Sequence, residues 1–491
     1  MKMGNSTMLL RDYQTDAIDK LRESLRSGKR RPVIQAPTGA GKTVIAAAII
    51  EMARAKGKRV LFCVPALELI NQTVDRFARN GILDVGVMQA QHELTDGRQP
   101  VQICSVQTLA RRQIPDADLV IIDEAHVMFK LYDKWTTDPK WLNVPFVGLT
   151  ATPWQKGMGK IWDDLIVSVT TQELIDQGHL SDFRVFAPSH PDLSGVKTVM
   201  GDYEAKGLGH AMDKPDLIAD IVTTWKERAA GLPTLCFAVN RVHAKHIQSQ
   251  FDTAGVKTGY VDAFSTRDER AEVSRQFHNG DITVVCNVGV LTTGVDWDVR
   301  CVILARPTRS EILYVQIIGR GLRTAPGKQS CIILDHSDTT LRLGLVTDIQ
   351  HDSMDDGRIK AANEARKERL PKECPKCAFV KPAKVRVCPA CGFTSVAFNT
   401  IETGDGELQE ITRINRPKYT MIEKLDFYSQ LIRYGRDKNY SEGWAWHSYR
   451  DKFGVGPVVK PMAAMYVDQS TESWIRHRNI QRAKILEKSG R

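Results

Sequence analysis

From about residue 10 to residue 335 short apolar runs alternate with helical patterns, and the alternation starts afresh once along the way. Val33-Ile34-Gln35-Ala36 reads as a strand, followed by a Gly-rich turn and a helix from Lys42 to about Lys56. Val60–Val64 is the next strand, then a helix over 67–79, and Val101–Cys104, Leu119–Ile122 and Phe146–Leu149 continue the series. A second series follows: helix 216–229, strand 234–238, helix 241–253, strand 259–261, helix 266–278, strand 282–286, then Cys301–Leu304 and Cys331–Leu334. Runs this uniformly apolar belong to parallel strands covered on both faces. The pattern therefore predicts an α/β chain with two doubly wound parallel-sheet lobes, residues 1–165 and 166–350. The polar stretch 351–372 reads as a linker with one exposed helix, ahead of a cysteine-bearing segment at 373–394 and a basic region at 395–491.

With 491 residues there is material for more than one packed core. No run approaches the ~20 apolar residues that span a bilayer, and Met1–Ser6 lacks the apolar core of a secretory signal. The expectation is a soluble, cytoplasmic protein with no membrane partner. Cys63, Cys104, Cys236, Cys286, Cys301 and Cys331 stand singly, mostly in apolar runs, as buried thiols of a reducing compartment do. Of the net charge of +10, residues 361–491 carry +9, with 24 Lys and Arg against 15 Asp and Glu. A near-neutral body with a basic end suggests a polyanionic partner; the alternative is a charged, soluble C-terminal domain.

Ala36-Pro37-Thr38-Gly39-Ala40-Gly41-Lys42-Thr43 lies between a strand and a helix. Its glycines let backbone amides curl around phosphates, and the helix N-terminus adds positive dipole. Lys42 would reach the β- and γ-phosphates and Thr43 would hold Mg²⁺. Ala36 stands where Gly is usual. Asp123 and Glu124 follow a buried apolar strand, where unpartnered carboxylates are costly. Asp123 suits Mg²⁺ and Glu124 suits polarising an attacking water, while His126 suits coupling. A solvated strand end is the alternative, weakened by the phosphate loop upstream. In Gln316-Ile317-Ile318-Gly319-Arg320-Gly321-Leu322-Arg323 a helix would place Gln316, Arg320 and Arg323 on one face. Paired arginines suit the charge of a phosphoryl-transfer transition state; a salt-bridged surface helix is the alternative.

Together with Leu10-Arg11-Asp12-Tyr13-Gln14, Pro65–Leu69, Ser105–Leu109, Thr150-Ala151-Thr152-Pro153 and Gly289–Asp296, these segments form eight ordered motifs over about residues 9–335. In this the chain resembles a superfamily 2 helicase of the DEAH-box type, on the branch of type III restriction-subunit-like and excision-repair-like ATPases. The resemblance implies two RecA-like lobes with ATP in the cleft. It implies that Gln14 reads adenine, that Thr150 and Thr152 couple hydrolysis to lobe movement, and that Gly294 and Asp296 approach the nucleotide from the second lobe. Pro65, Ala66, Thr108, Asn240 and Thr292 would touch the nucleic-acid backbone, contacts that read no sequence. Two positions depart from the family pattern: Trp154-Gln155 where a basic residue is frequent, and Thr293 where Glu is.

Cys374-Pro375-Lys376-Cys377 and Cys388-Pro389-Ala390-Cys391-Gly392 are spaced as two knuckles of a structural zinc ribbon, which leaves no open metal position for catalysis. Lys372, Lys376, Lys381, Lys384 and Arg386 around it suggest a nucleic-acid contact; a folding module alone is the other reading. Leu425, Tyr428, Leu431 and Ile432 mark an amphipathic helix. The aromatics between Tyr440 and Phe453 suit either base stacking or the core of a small helical domain, which is the favoured reading. Tyr440–Pro457 is similar to tails of phage- and prophage-encoded helicases, and Trp474–Arg491 has a basic helical pattern.

The resemblance thus implies an ATP hydrolase using ATP and Mg²⁺, and the cysteine spacing adds Zn²⁺ as a structural metal. A DNA helicase is expected, with DNA favoured over RNA and a protein partner of the C-terminal region left open. The rivals are a duplex translocase or remodeller that never separates strands, and a non-catalytic nucleic-acid-binding adaptor, against which the intact Lys42, Asp123, Glu124, Arg320 and Arg323 argue.

Overall fold

The computed structural model describes residues 9–89, 92–199, 201–292, 297–356, 370–383, 385–394 and 421–479, the last apart from positions 442, 454, 458, 465, 469, 470, 473 and 477. In the first lobe α1 (Asp12–Arg26) precedes β1 (Pro32–Gln35), and α2 (Lys42–Arg54), β2 (Val60–Val64), α3 (Leu69–Arg79), β3 (Val85–Val87) and β4 (Val101–Ser105) follow. The short α4 (Val106–Leu109), β5 (Leu119–Asp123), α5 (Lys130–Thr137), β6 (Phe146–Thr150) and β7 (Asp164–Val167) complete it. The strands run parallel in the order β3-β4-β2-β5-β6-β1-β7. β1, β2, β4 and β6 are buried at every position, as strands with helices on both faces must be.

β7 is still a strand of the first sheet, pairing with β1 from Pro32–Asp164 to Gln35–Val167. The chain then crosses through α6 (Thr171–Asp176), whose N-terminus is fixed by reciprocal bonds between Thr170 and Glu173. The second sheet opens with β8 (Asp182–Phe186), after which a hairpin, β9 (Thr198–Val199) and β10 (Asp202–Tyr203), and helices α7 (Ala205–Met212) and α8 (Pro215–Arg228) intervene. Then come β11 (Thr234–Phe237), α9 (Arg241–Thr253), β12 (Thr258–Val261), α10 (Arg267–Asn279), β13 (Val284–Asn287), β14 (Cys301–Leu304), α11 (Glu311–Gly321), β15 (Ser330–Asp335) and α12 (Thr339–Leu343). The order is β12-β13-β11-β14-β15-β8, again parallel. One apolar core joins the lobes, from Ile34 and Ile45 through Leu180 and Leu322 to Val302 and Tyr314. All six single cysteines are buried.

The helix expected to carry both arginines is shorter than its pattern. α11 stops at Gly321, so Arg320 is helical while Arg323 sits beyond the end, in the bridge to Leu180. The stretch 344–356 packs into the molecule, and the helix expected in the linker falls on residues outside those described.

β16 (Lys372–Glu373) and β17 (Val380–Lys381) form an antiparallel ribbon that lies along β8. The Ala187 N–H donates to the Ala378 carbonyl at 2.9 Å, the Phe186 and Phe379 rings meet edge to face at 5.5 Å, and Arg228 donates to the Cys377 carbonyl at 3.0 Å. Residues 398–491 form a separate compact unit. Within it α13 (Met421–Asp437) and α14 (Gly443–Phe453) bury Phe427, Tyr428, Leu431, Tyr449 and Ile475 together. Tyr449 is therefore core, whereas Tyr440 and Trp446 are exposed. The basic pattern beyond residue 479 lies outside the described residues. Among the described residues no helix is long and apolar enough to cross a membrane.

Candidate functional site

The carboxyl ends of β5, β6 and β1 lie side by side, where open parallel sheets receive their ligands. The backbone turns out of β1 through the phosphate loop with Gly39 at φ +92° and Gly41 at φ +78°, conformations that L side chains rarely adopt. A Cβ on Gly41 would lie 2.6 Å from the Gln14 amide nitrogen, so the curl of the loop requires glycine there. The first turn of α2 directs its amides into the loop. Lys42 Nζ reaches back to the Ala36 carbonyl at 3.4 Å.

The start of α1 is pinned to this loop. Gln14 Nε2 and Tyr13 OH both donate to the Ala40 carbonyl, at 3.0 and 3.1 Å, while Gln14 Oε1 accepts from the Arg11 N–H at 3.0 Å. Arg11 also donates to Tyr13 OH, and the His179 ring lies 6.0 Å from that of Tyr13.

Asp123 ends β5 and Glu124 adopts φ +48°, a strained conformation that turns consecutive acids apart at the strand end. The Glu124 N–H donates to Asp123 Oδ1 at 2.9 Å. Burial first, then the Glu124 charge, raise the Asp123 carboxyl to about 6 against the lowering pull of Lys42. Such a carboxylate is one that a cation would stabilise. His126 is buried, which lowers its pKa despite Glu124 and keeps the ring neutral. Its Nε2 faces the Gln316 amide nitrogen at 3.1 Å, and an amide N–H only donates, so the ring proton sits on Nδ1. From there it points at Thr150 Oγ1 at 2.8 Å, with Glu124 Oε2 at 3.3 Å; Thr150 Oγ1 also accepts from the Thr152 N–H. His126, Thr150, Thr152 and Gln316, the four residues expected to couple hydrolysis to movement, thus form one hydrogen-bonded chain across the lobes.

The same face of α11 that carries Gln316 carries Gly319 and Arg320. A Cβ on Gly319 would stand 2.8 Å from Thr38 Cβ, so the helix backbone lies directly on the phosphate loop. Arg320 is buried and Arg323 half-buried. The opposite face, Ile317 and Ile318, is in the core. Two residues with no evident sequence signal brace this end. Lys328 Nζ donates to the carbonyls of Gly321 and Arg323 at 2.5 and 2.6 Å, and Leu180 lies against Gly39 while its backbone bridges to Arg323.

A chamber of about 650 Å³ lies between the lobes, walled by Pro65 and Ala66 on one side, Arg270 and Trp297 on the other, with Glu124 and His126 at its base. Pro65 and Ala66 therefore share a space with the acid cluster. The Thr108 hydroxyl is tied to Ser105, and Asn240 Oδ1 caps α9 by accepting from the His243 N–H at 2.9 Å, so both side chains have structural work. Thr292 is half-buried, and Thr293, Gly294 and Asp296 lie outside the described residues.

In the ribbon, the sulfurs of Cys374, Cys377, Cys388 and Cys391 lie within 4.8 Å of one another. A tetrahedral zinc with Zn–S bonds of about 2.3 Å sets sulfurs about 3.8 Å apart. Cys374 and Cys391 are 3.8 Å apart and Cys377 and Cys388 3.7 Å, so the thiols already stand at that spacing. Each knuckle turns on a positive-φ residue after its second cysteine, Ala378 at +55° and Gly392 at +68°. Lys372, Lys376 and Arg386 are exposed, whereas Lys381, expected at the surface, is buried and donates to the Arg386 carbonyl. Lys384 lies outside the described residues.

Two family models match the chain: that of the type III restriction enzyme res subunit over residues 7–155, and that of the helicase conserved C-terminal domain over residues 213–325. A 51.5 kDa protein of a Lactococcus phage is 30% identical over 377 residues, covering 73% of this chain and 77% of the phage protein. A protein of Saccharomyces cerevisiae that carries the name ATP-dependent helicase IRC3 is 30% identical over 360 residues, covering 68% of this chain and 52% of the yeast protein; the chain spans about half that relative's length. Among solved structures, a fragment of an HsdR-type subunit of a type I restriction enzyme from Vibrio vulnificus YJ016 matches with a TM-score of 0.54 at 22% identity, over 71% of this chain and 69% of that one.

Proposed function

This chain belongs to the superfamily 2 helicases, ATP-hydrolysing motors that act on nucleic acid, and on that footing we propose that it is a DNA helicase that separates strands by translocating along one of them. The observation that carries the reading is the Gln316–His126 bond, which ties the arginine-bearing helix of one lobe to the acid cluster of the other. Lys42 and the amides at the start of α2 hold the phosphates of ATP. Glu124 orients the attacking water, and Arg320 with Arg323 offsets charge that develops during transfer. Thr43 and Asp123 would hold Mg²⁺, which supplies charge neutralisation at the phosphates, and the raised Asp123 carboxyl fits that role. Zn²⁺ in the ribbon is structural. DNA is favoured over RNA as the partner, with the protein in the cytoplasm and the C-terminal region free to take a protein partner.

Lys42→Ala or Glu124→Gln should lower nucleic-acid-stimulated ATP turnover by about 10³-fold or more while nucleic-acid affinity changes by less than about threefold. Normal turnover in both purified variants overturns the site assignment. Displacement of a labelled strand from partial duplexes of DNA and of RNA, run beside triplex displacement, tests the rest. Triplex displacement with no strand release would make the protein a duplex translocase.

A further inference from the structure

After α12 the chain does not leave the molecule. Leu345, Val346 and Ile349 enter the joint core, Met354 packs into the outer core of the first lobe, and the Asp355 carbonyl accepts from the Gly159 N–H at 2.8 Å. Residues 344–356 are therefore a strap that carries the end of the second lobe back onto the first. At its centre the His351 ring lies tilted against Trp154, with centroids 4.8 Å apart and planes 30° apart. His351 Nε2 lies 2.7 Å from the Glu311 carboxylate, and Glu311 is the first residue of α11. Trp154 directly follows Thr150-Ala151-Thr152-Pro153.

We propose that Trp154, His351 and Glu311 form a positioning clasp that sets the angle of the arginine helix against the phosphate loop. The proposal rests on the reading of Arg320 as a residue acting on ATP. Glu311 stands nine residues before Arg320, about 14 Å along the helix. With the Glu311 end released, α11 would turn about the Gln316–His126 bond, four residues or about 6 Å from Arg320, so a swing of about 10° would move Arg320 by about 1 Å, and misplacements of about 1 Å can cost on the order of 10² in rate. The clasp also joins the segment holding Thr150 and Thr152 to the start of α11, while the Gln316–His126 bond joins them one turn further on. The clasp thus gives the start of α11 its own link to the first lobe, in addition to the Gln316–His126 bond and the bracing at Gly321. Among the described residues the polar and ring contacts of Trp154 and His351 are with each other and with Glu311, which puts their route to Arg320 through α11.

The test is steady-state ATP turnover of the full chain with saturating single-stranded DNA, normalised to the fraction of molecules that bind a fluorescent ATP analogue. His351→Ala should lower kcat about five- to twentyfold with KM for ATP changed less than about twofold. Trp154→Phe, which keeps a ring for the contact, should retain at least about half the rate, and Trp154→Ala should match His351→Ala. Glu311→Gln with His351→Ala should be no slower than His351→Ala alone, the non-additivity expected of one contact. If His351→Ala does not fold, His351→Phe and Glu311→Gln and their combination carry the same cycle. Full kcat in the folded variants, or losses that simply multiply, overturns the clasp. Arg320→Ala in the same assay separates the two ideas: a fast Arg320→Ala removes the underlying reading, whereas a dead Arg320→Ala beside an unimpaired His351→Ala removes the clasp alone.

Discussion

Gly319 occupies the tightest place between the lobes. A methyl group there would approach both Cβ and Oγ1 of Thr38 within 2.9 Å, and Thr38 is itself buried, so the helix must yield. Gly319→Ala removes a helix-interior glycine, which by propensity alone favours folding by about 1 kcal/mol. The two effects have opposite readouts. Thermal stability should hold or rise slightly, while nucleic-acid-stimulated ATP turnover falls at least about tenfold as Arg320 is pushed off its position. Turnover equal to wild type would mean that the lobes work without that close approach. Lys42, Asp123 and Glu124 were legible in the sequence because each belongs to a short motif beside a strand. Gln316 to His126 spans 190 positions, and spacing along the chain says nothing about a bond of that kind.

The ribbon shows what is local and what is not at the level of an element. Its four cysteines stood out as a set from their spacing, and the sulfur separations are compatible with a tetrahedral metal. Its docking on β8 was not, because Phe186, Arg228 and Ala187 come from the second lobe and carry no signal for partners 149 to 193 residues ahead. That docking predicts a stability effect outside the ribbon. Burying an aromatic side chain such as Phe379 contributes about 1.5–3 kcal/mol, and a segment this small holds its fold through its metal. Removing zinc with a chelator, or replacing Cys374 and Cys377 by Ser, should therefore lower the thermal midpoint of the second lobe by several degrees, measured by scanning calorimetry of the full chain. A midpoint that does not move would make the ribbon an appendage. β3 and the β9–β10 hairpin escaped the apolar-run pattern because two or three residues carry too little periodicity, and β7 and β8 because Asp164, Asp182 and Arg184 break up their apolar residues. Arg323 was placed in a helix because the spacing fits one; Leu322 caps it first, and Lys328 closes the end.

Charge is the property that belongs to the whole molecule. Of the excess of +9 over residues 361–491, +4 sits on the ribbon (370–394) and +4 on a unit that folds around its own core (398–491). If that unit touches the phosphate backbone, ending the chain after residue 394 should lower the slope of log affinity against log salt by about 0.9 for each duplex phosphate that is no longer neutralised. An unchanged slope in a fluorescence-anisotropy titration would assign the unit to a protein partner. The two-lobed α/β plan was readable from alternation alone, since near-continuous apolar runs have few other homes. The connections between the lobes were not: a polar stretch reads as a spacer, and nothing in Met354 or Asp355 announces where they rest.

The chain passes between its halves at two separate places, once through the segment that holds α6 and again through the strap. A panel hung at a single point can tilt in any direction, whereas one hung at two can only swing about the line between them. The halves of this protein would then open and shut along one arc, each time over the same path.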